Sequence, residues 1–121
     1  MEPFLNAMSR TLFLPDGGFS ADLRGGFLIR TGYAVAVHPE HAWVFDSRVS
    51  GWELRDFIVL ARDALAAPGR VLGGWRDPDT GRVHLDVSVV LPGLGEAMSL
   101  ARRTRQLAVF QLSERRSCRV R

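Results

Sequence analysis

The chain has 121 residues, of which 46% are apolar and 24% charged, and a formal net charge of +3. A chain of roughly 100 to 150 residues builds one core, so a single domain over 1–121 is expected, and a composition this close to the globular average of about 45–50% apolar excludes disorder along the whole chain. No stretch approaches the roughly 20 uncharged apolar residues of a bilayer span, and MEPFLNAMSR lacks a basic region ahead of a long apolar run, so no secretory signal and no membrane partner are expected.

Taken in chain order, residues 1–10 read as a loose end. After Arg10, short apolar runs cut by PDGG (Pro15 to Gly18) and GG (Gly25, Gly26) suggest strands near Thr11 to Leu14 and Phe19 to Leu23, then a longer one from Phe27 to Val37. HPEH, from His38 to His41, makes a turn. Ala42 to Phe45 alternates as a strand. Ser50 and Glu53 have the S-x-x-E spacing of a capping box, and Leu54, Phe57, Ile58, Ala61 and Leu65 then fall on one helical face until Pro68 and Gly69 stop the helix.

DPDTG, Asp77 to Gly81, has the chemistry of a hairpin tip. Proline suits the second turn position, an aspartate before it can accept from the backbone two residues on, and a glycine closes the loop in the left-handed region. Val83, Leu85, Val87 and Val89 alternate with His84, Asp86 and Ser88 as a half-buried strand. Pro92 and Gly93 break it. A second helix is expected from Leu94 to Arg105 with Leu94, Ala97, Met98 and Ala101 inward, followed by a strand from Gln106 to Leu112. The remainder, 113–121, is a frayed end or a turn into one last edge strand. The order β-β-α-β-β-α-β predicts an α+β fold, an antiparallel β-sheet with two helices packed on one face, of which a ferredoxin-like arrangement is one version.

His84, Asp86 and Ser88 are the one close set of triad-type residues. Alternate strand residues stand about 6.6 Å apart, which puts His84 and Ser88 about 13 Å apart, too far for a hydrogen-bonded relay, so these three read as the polar face of a strand. His38 and His41 flank Glu40 but lack further metal ligands at a familiar spacing, and no metal is expected. There is no P-loop or dinucleotide-binding motif, and no lysine for Schiff-base chemistry; no cofactor is expected. Cys118, the single cysteine, cannot pair within the chain, which suggests a reducing, cytoplasmic setting. Its own role stays open.

All sixteen basic residues are arginine, and from Arg102 onward seven of them face one acid, Glu114, while the rest of the chain carries nine against twelve. Arginines at a helix end and tail can hold nucleic-acid phosphates or steer an acidic protein, and they can also simply complement a helix dipole. Residues around TGYAVAVHPEH, LGGWRDPDTGRVHLDVSVVL and EAMSLARRTRQLAVFQL resemble a group of small proteins of actinobacteria and their phages and mobile elements that carry a GGW-x-DP-x-TG-x-V-x-LD hairpin. The likeness covers about Thr31 to Leu112. It implies an accessory protein that engages a host factor, and it brings no catalytic residue with it.

The sequence therefore predicts a non-enzymatic binding protein that engages a host protein or nucleic acid through Arg102, Arg103, Arg105, Arg115 and Arg116, with Trp75 as an aromatic contact. The alternatives are a small enzyme using His84 and Asp86 as acid and base, with His38 or His41 brought in from a loop, and a structural subunit of a homo-oligomer or particle that pairs through an open sheet edge.

Overall fold

Where local signals were strong, the elements follow them. The computed structural model describes residues 2–14, 17–46 and 48–120. The capping box forms: the Ser50 hydroxyl accepts from the Glu53 backbone and the Ser50 backbone N–H donates to Glu53 Oε1 at 3.1 Å, starting α2 at Gly51–Leu60. After a break at Ala61 a short α3 continues over Arg62–Leu65. The hairpin also forms, with β5 (Val71–Arg76) paired to β6 (Val83–Leu91) and Gly81 at φ +75°. Its tip closes as expected from its residues, the Asp79 N–H donating to Asp77 Oδ1 at 2.9 Å and the Gly81 N–H to the Asp77 carbonyl at 2.8 Å.

Elsewhere the structure departs from the expected order. Residues read as a loose end form a helix, α1 (Glu2–Thr11), because Leu5, Met8 and Leu12 recur at helical spacing and are almost fully buried. No strand forms at Thr11 to Leu14, where α1 ends in a turn. Pro15 and Asp16 of the expected PDGG turn lie outside the described residues. The run from Phe27 to Val37 is two strands, not one. β1 (Gly18–Asp22) pairs with β2 (Phe27–Leu28), and after Gly32, held at φ +98°, the chain crosses to place β3 (Tyr33–Ala36) beside β6. A 3₁₀ turn at Pro39–His41 leads to β4 (Trp43–Phe45), which also pairs with β6.

α4 (Leu94–Arg103) ends two residues earlier than the sequence suggested. Arg105 takes φ 57°, and the Gln106 N–H donates to the Ala101 carbonyl at 2.8 Å, a helix-ending pattern that usually places glycine at this position. β7 (Ala108–Gln111) and a real edge strand, β8 (Arg116–Arg119), complete the chain.

The architecture is α+β, with a curled antiparallel sheet in the order β2-β1-β5-β6-β3-β7-β8 and β4 off this path on β6. Among the described residues there are four helices, not two, and every ladder is antiparallel. The main core joins Leu5, Met8 and Leu12 of α1 and Leu54 and Phe57 of α2 to Ala21, Leu72, Val83, Leu85 and Val87 of the sheet. A second cluster sets Ala97 and Ala101 of α4 against Val35 and Val109. No helix among the described residues is long and apolar enough to cross a membrane.

Because the Ser50 box satisfies two donors at the start of the helix that carries Leu54 and Phe57 into the core, Ser50→Ala should lower stability by about 1 kcal/mol in urea denaturation, with an unchanged m-value.

Candidate functional site

Strand alternation sends Val83, Leu85 and Val87 toward α1 and α2, so His84, Asp86 and Ser88 point the other way. The sequence made that second face a solvated one. The sheet curls so that it becomes an interior wall instead: Asp86 is 7% exposed and Ser88 2%. Two contacts from the last hairpin close the curl. The Phe110 ring of β7 lies over Gly18 of β1, within 2.5 Å of where a Cβ would stand, and Arg119 of β8 reaches back to the β5–β6 turn, 2.5 Å from Asp79 Oδ2 and 3.8 Å from Asp77 Oδ1.

Inside the curl is a cavity of about 120 Å³, walled by residues that include Ser20, Gly73, Trp75, His84, Asp86 and Phe110. Strand register sets its polar floor. Ser20 of β1 stands opposite Gly73 of β5, and Gly73 opposite Asp86 of β6. A Cβ at Gly73 would overlap the Asp86 carboxylate and crowd the Ser88 hydroxyl, so only glycine leaves these side chains room to lie over the strand. The Ser88 hydroxyl donates to Asp86 Oδ1, and among the described residues this is the single hydrogen bond to that carboxylate. The Ser20 hydroxyl is wholly buried on the same floor, and it has no hydrogen-bond partner among the described residues.

Burial is the largest influence on Asp86 and raises its carboxyl from an ordinary 3.8 to about 6, against the opposing bond from Ser88. His84 is held below its ordinary value by the same loss of solvent, with Asp77 pulling the other way and Arg82 adding to the depression. Its ring stacks on Trp75, centroids 4.5 Å apart and planes within 12°.

The candidate residues thus separate into groups. Trp75 meets His84 and Asp86 at the cavity. His38 and His41 do not line it: His38 faces Glu40 at 2.9 Å and receives the Arg70 Nε–H at 3.2 Å, with the His41 ring 6.3 Å away. His84 makes no hydrogen bond to Asp86 among the described residues, so the histidine, the carboxylate and the serine share a wall without forming a relay. The separation argument fails for Asp86 and Ser88, whose side chains lean together and bond, and holds for His84. The arginines lie apart from the cavity. Arg102 and Arg103 end α4 and Arg105 follows it, while Arg115 and Arg116 occupy the far end of the β7–β8 hairpin, with roughly 13 Å of strand between the two groups. Arg116 Nε donates to Gln111 Oε1 at 3.2 Å. Cys118 is a partly buried free thiol on β8. Among the described residues no three or more His, Cys, Asp or Glu side chains gather where they could hold a metal ion.

Sequence reasoning passed over Ser20 and Gly73 as parts of the site. A signal existed for Gly73, since a glycine pair precedes Trp75 beside a strand whose second face carries polar groups and no arginine; none marked Ser20. Compared with known proteins, the chain matches no family model, no curated protein and no solved structure.

A carboxyl whose folded pKa is raised binds its proton more tightly in the folded state, so its contribution to stability is complete below about pH 4 and is lost as pH rises through about 6. The loss by neutral pH is on the order of 3 kcal/mol. Asp86→Asn should therefore be more stable than the parent at pH 7.5 and should lack the decline between pH 4 and 7, as read by urea denaturation across that range.

Proposed function

We propose that the protein is a non-enzymatic binding protein whose ligand site is the cavity inside the curled sheet. The observation that carries this is the pairing of a buried, singly bonded Asp86 carboxylate with a buried, unpartnered Ser20 hydroxyl on one cavity floor. Buried polar groups are nearly always satisfied by protein or water, and leaving one unpaired costs about 1–3 kcal/mol. A group brought in from outside that supplies hydrogen bonds there recovers that free energy. The test is a titration of the labelled protein with a mixture of compounds of six or fewer non-hydrogen atoms, followed by amide NMR. The expected result is saturable shifts at Ser20, Gly73, Trp75 and Ser88. An unperturbed cavity with every compound would remove the proposal.

A second reading, engagement of a host protein or nucleic acid by the arginines, has its own support. Arg105 and Arg115 both sit at left-handed φ, 57° and 52°, where glycine avoids a cost of about 1–2 kcal/mol. Arginine retained at such positions fits a use for its side chain. Replacing Arg102, Arg103, Arg105, Arg115 and Arg116 with alanine should then abolish retention on immobilised nucleic acid at 50 mM salt. If the parent chain shows no salt-sensitive retention, nucleic acid is excluded as the partner of this surface.

A further inference from the structure

Resting on the reading of the cavity as a binding site, the geometry points to its ligand class: we propose that it receives the guanidinium or amidinium head of a small organic cation, held between Asp86 and Ser20 and against Trp75. Charge sign comes first. Among the described residues Asp86 is the only acidic side chain on the wall, and no arginine lines it. An anion entering there meets a carboxylate with no counter-charge, and a neutral guest leaves that carboxylate uncompensated in a site poor in water. A cation removes both costs, and charge-assisted bonds are roughly twice as strong as neutral ones.

Donor count comes second. The Asp86 oxygen not engaged by Ser88 and the Ser20 hydroxyl are two acceptors on the strands that flank β5, facing each other across Gly73, which has no side chain. A planar group with several N–H bonds in one plane can address both, and guanidinium carries five in a fixed fork. A flat cation also stacks on an indole, and Trp75, whose ring is stacked on His84, supplies one on the wall.

Size comes third. A cavity of about 150 Å³ holds a benzene molecule. The 120 Å³ here fits a head of about five non-hydrogen atoms and excludes a nucleotide or a flavin. The head can belong to a free small molecule or to an arginine side chain presented by another protein, and the chemistry at the floor is the same for both.

The experiment uses the full chain and follows the Ser20, Gly73 and Ser88 amides by NMR while methylguanidine, its neutral isostere N-methylurea, acetate and a blocked Gly-Arg-Gly peptide are titrated separately at pH 7.5. The expected result is saturation by methylguanidine at least tenfold tighter than by N-methylurea, and none by acetate. Saturation at lower concentration by the peptide identifies a protein-borne arginine, and by methylguanidine a free small molecule; either supports the proposal. Asp86→Asn, with its fold checked by circular dichroism, should lose the preference for methylguanidine over N-methylurea. Lowering the pH from 7.5 to 5 should weaken methylguanidine binding about tenfold as Asp86 takes up a proton. His84 is the other titratable side chain on the wall, and the pH effect should persist in His84→Gln. If N-methylurea or acetate binds as well as methylguanidine, the cation assignment is overturned and the cavity remains a binding site. If no probe moves these amides while other small compounds do, the assignment again falls alone. If nothing moves them, both fall.

Discussion

The Asp86 carboxylate lies directly over the backbone of Gly73, and the interior of the protein is organised around that contact. A side chain at Gly73 would push the carboxylate and the Ser88 hydroxyl off the strand, fill the space above them and separate Asp86 from Ser20. Because the missing Cβ sits on a central strand, the sheet can curl around a polar floor instead of packing shut with apolar side chains. The helices on the opposite side make this affordable, with Leu5, Met8, Leu12, Leu54 and Phe57 supplying the buried apolar surface that a small domain needs. A chain under selection for stability alone would not keep an ionisable group there, and natural proteins tolerate such groups most often at the places where they act.

Much of the fold was legible because several signals are local and chemical. Ser50 with Glu53 is a hydrogen-bonding pattern complete within four residues, and DPDTG encodes a turn by the separate properties of Asp77, Pro78 and Gly81. What escaped was α1, marked only by the helical spacing of Leu5, Met8 and Leu12, and the division of Phe27 to Val37. That division depends on which strand each half pairs with, β1 for the first and β6 for the second, and no property of the eleven residues themselves states their partners.

The site was less legible than the fold, for a geometric reason. Alternation along β6 correctly put His84, Asp86 and Ser88 on one face, but whether that face meets water is decided by β7, whose Phe110 reaches across to Gly18 from the far side of the sheet. Curvature is a property of the assembled sheet. Side-chain reach mattered as well: a spacing measured at Cα positions overstates the gap between two short polar side chains inclined toward each other, as Asp86 and Ser88 are.

Two fastenings hold the last hairpin inward, and they differ in kind. Phe110 is an apolar contact shut away from solvent, indifferent to dissolved ions, whereas the Arg119 guanidinium and Asp79 of the turn meet at the surface, where electrolyte competes for both partners. The inner strand of the pair is anchored and the outer one is only moored. Rising ionic strength therefore weakens the mooring and leaves the anchor, so the sheet's curvature rests on the apolar fastening.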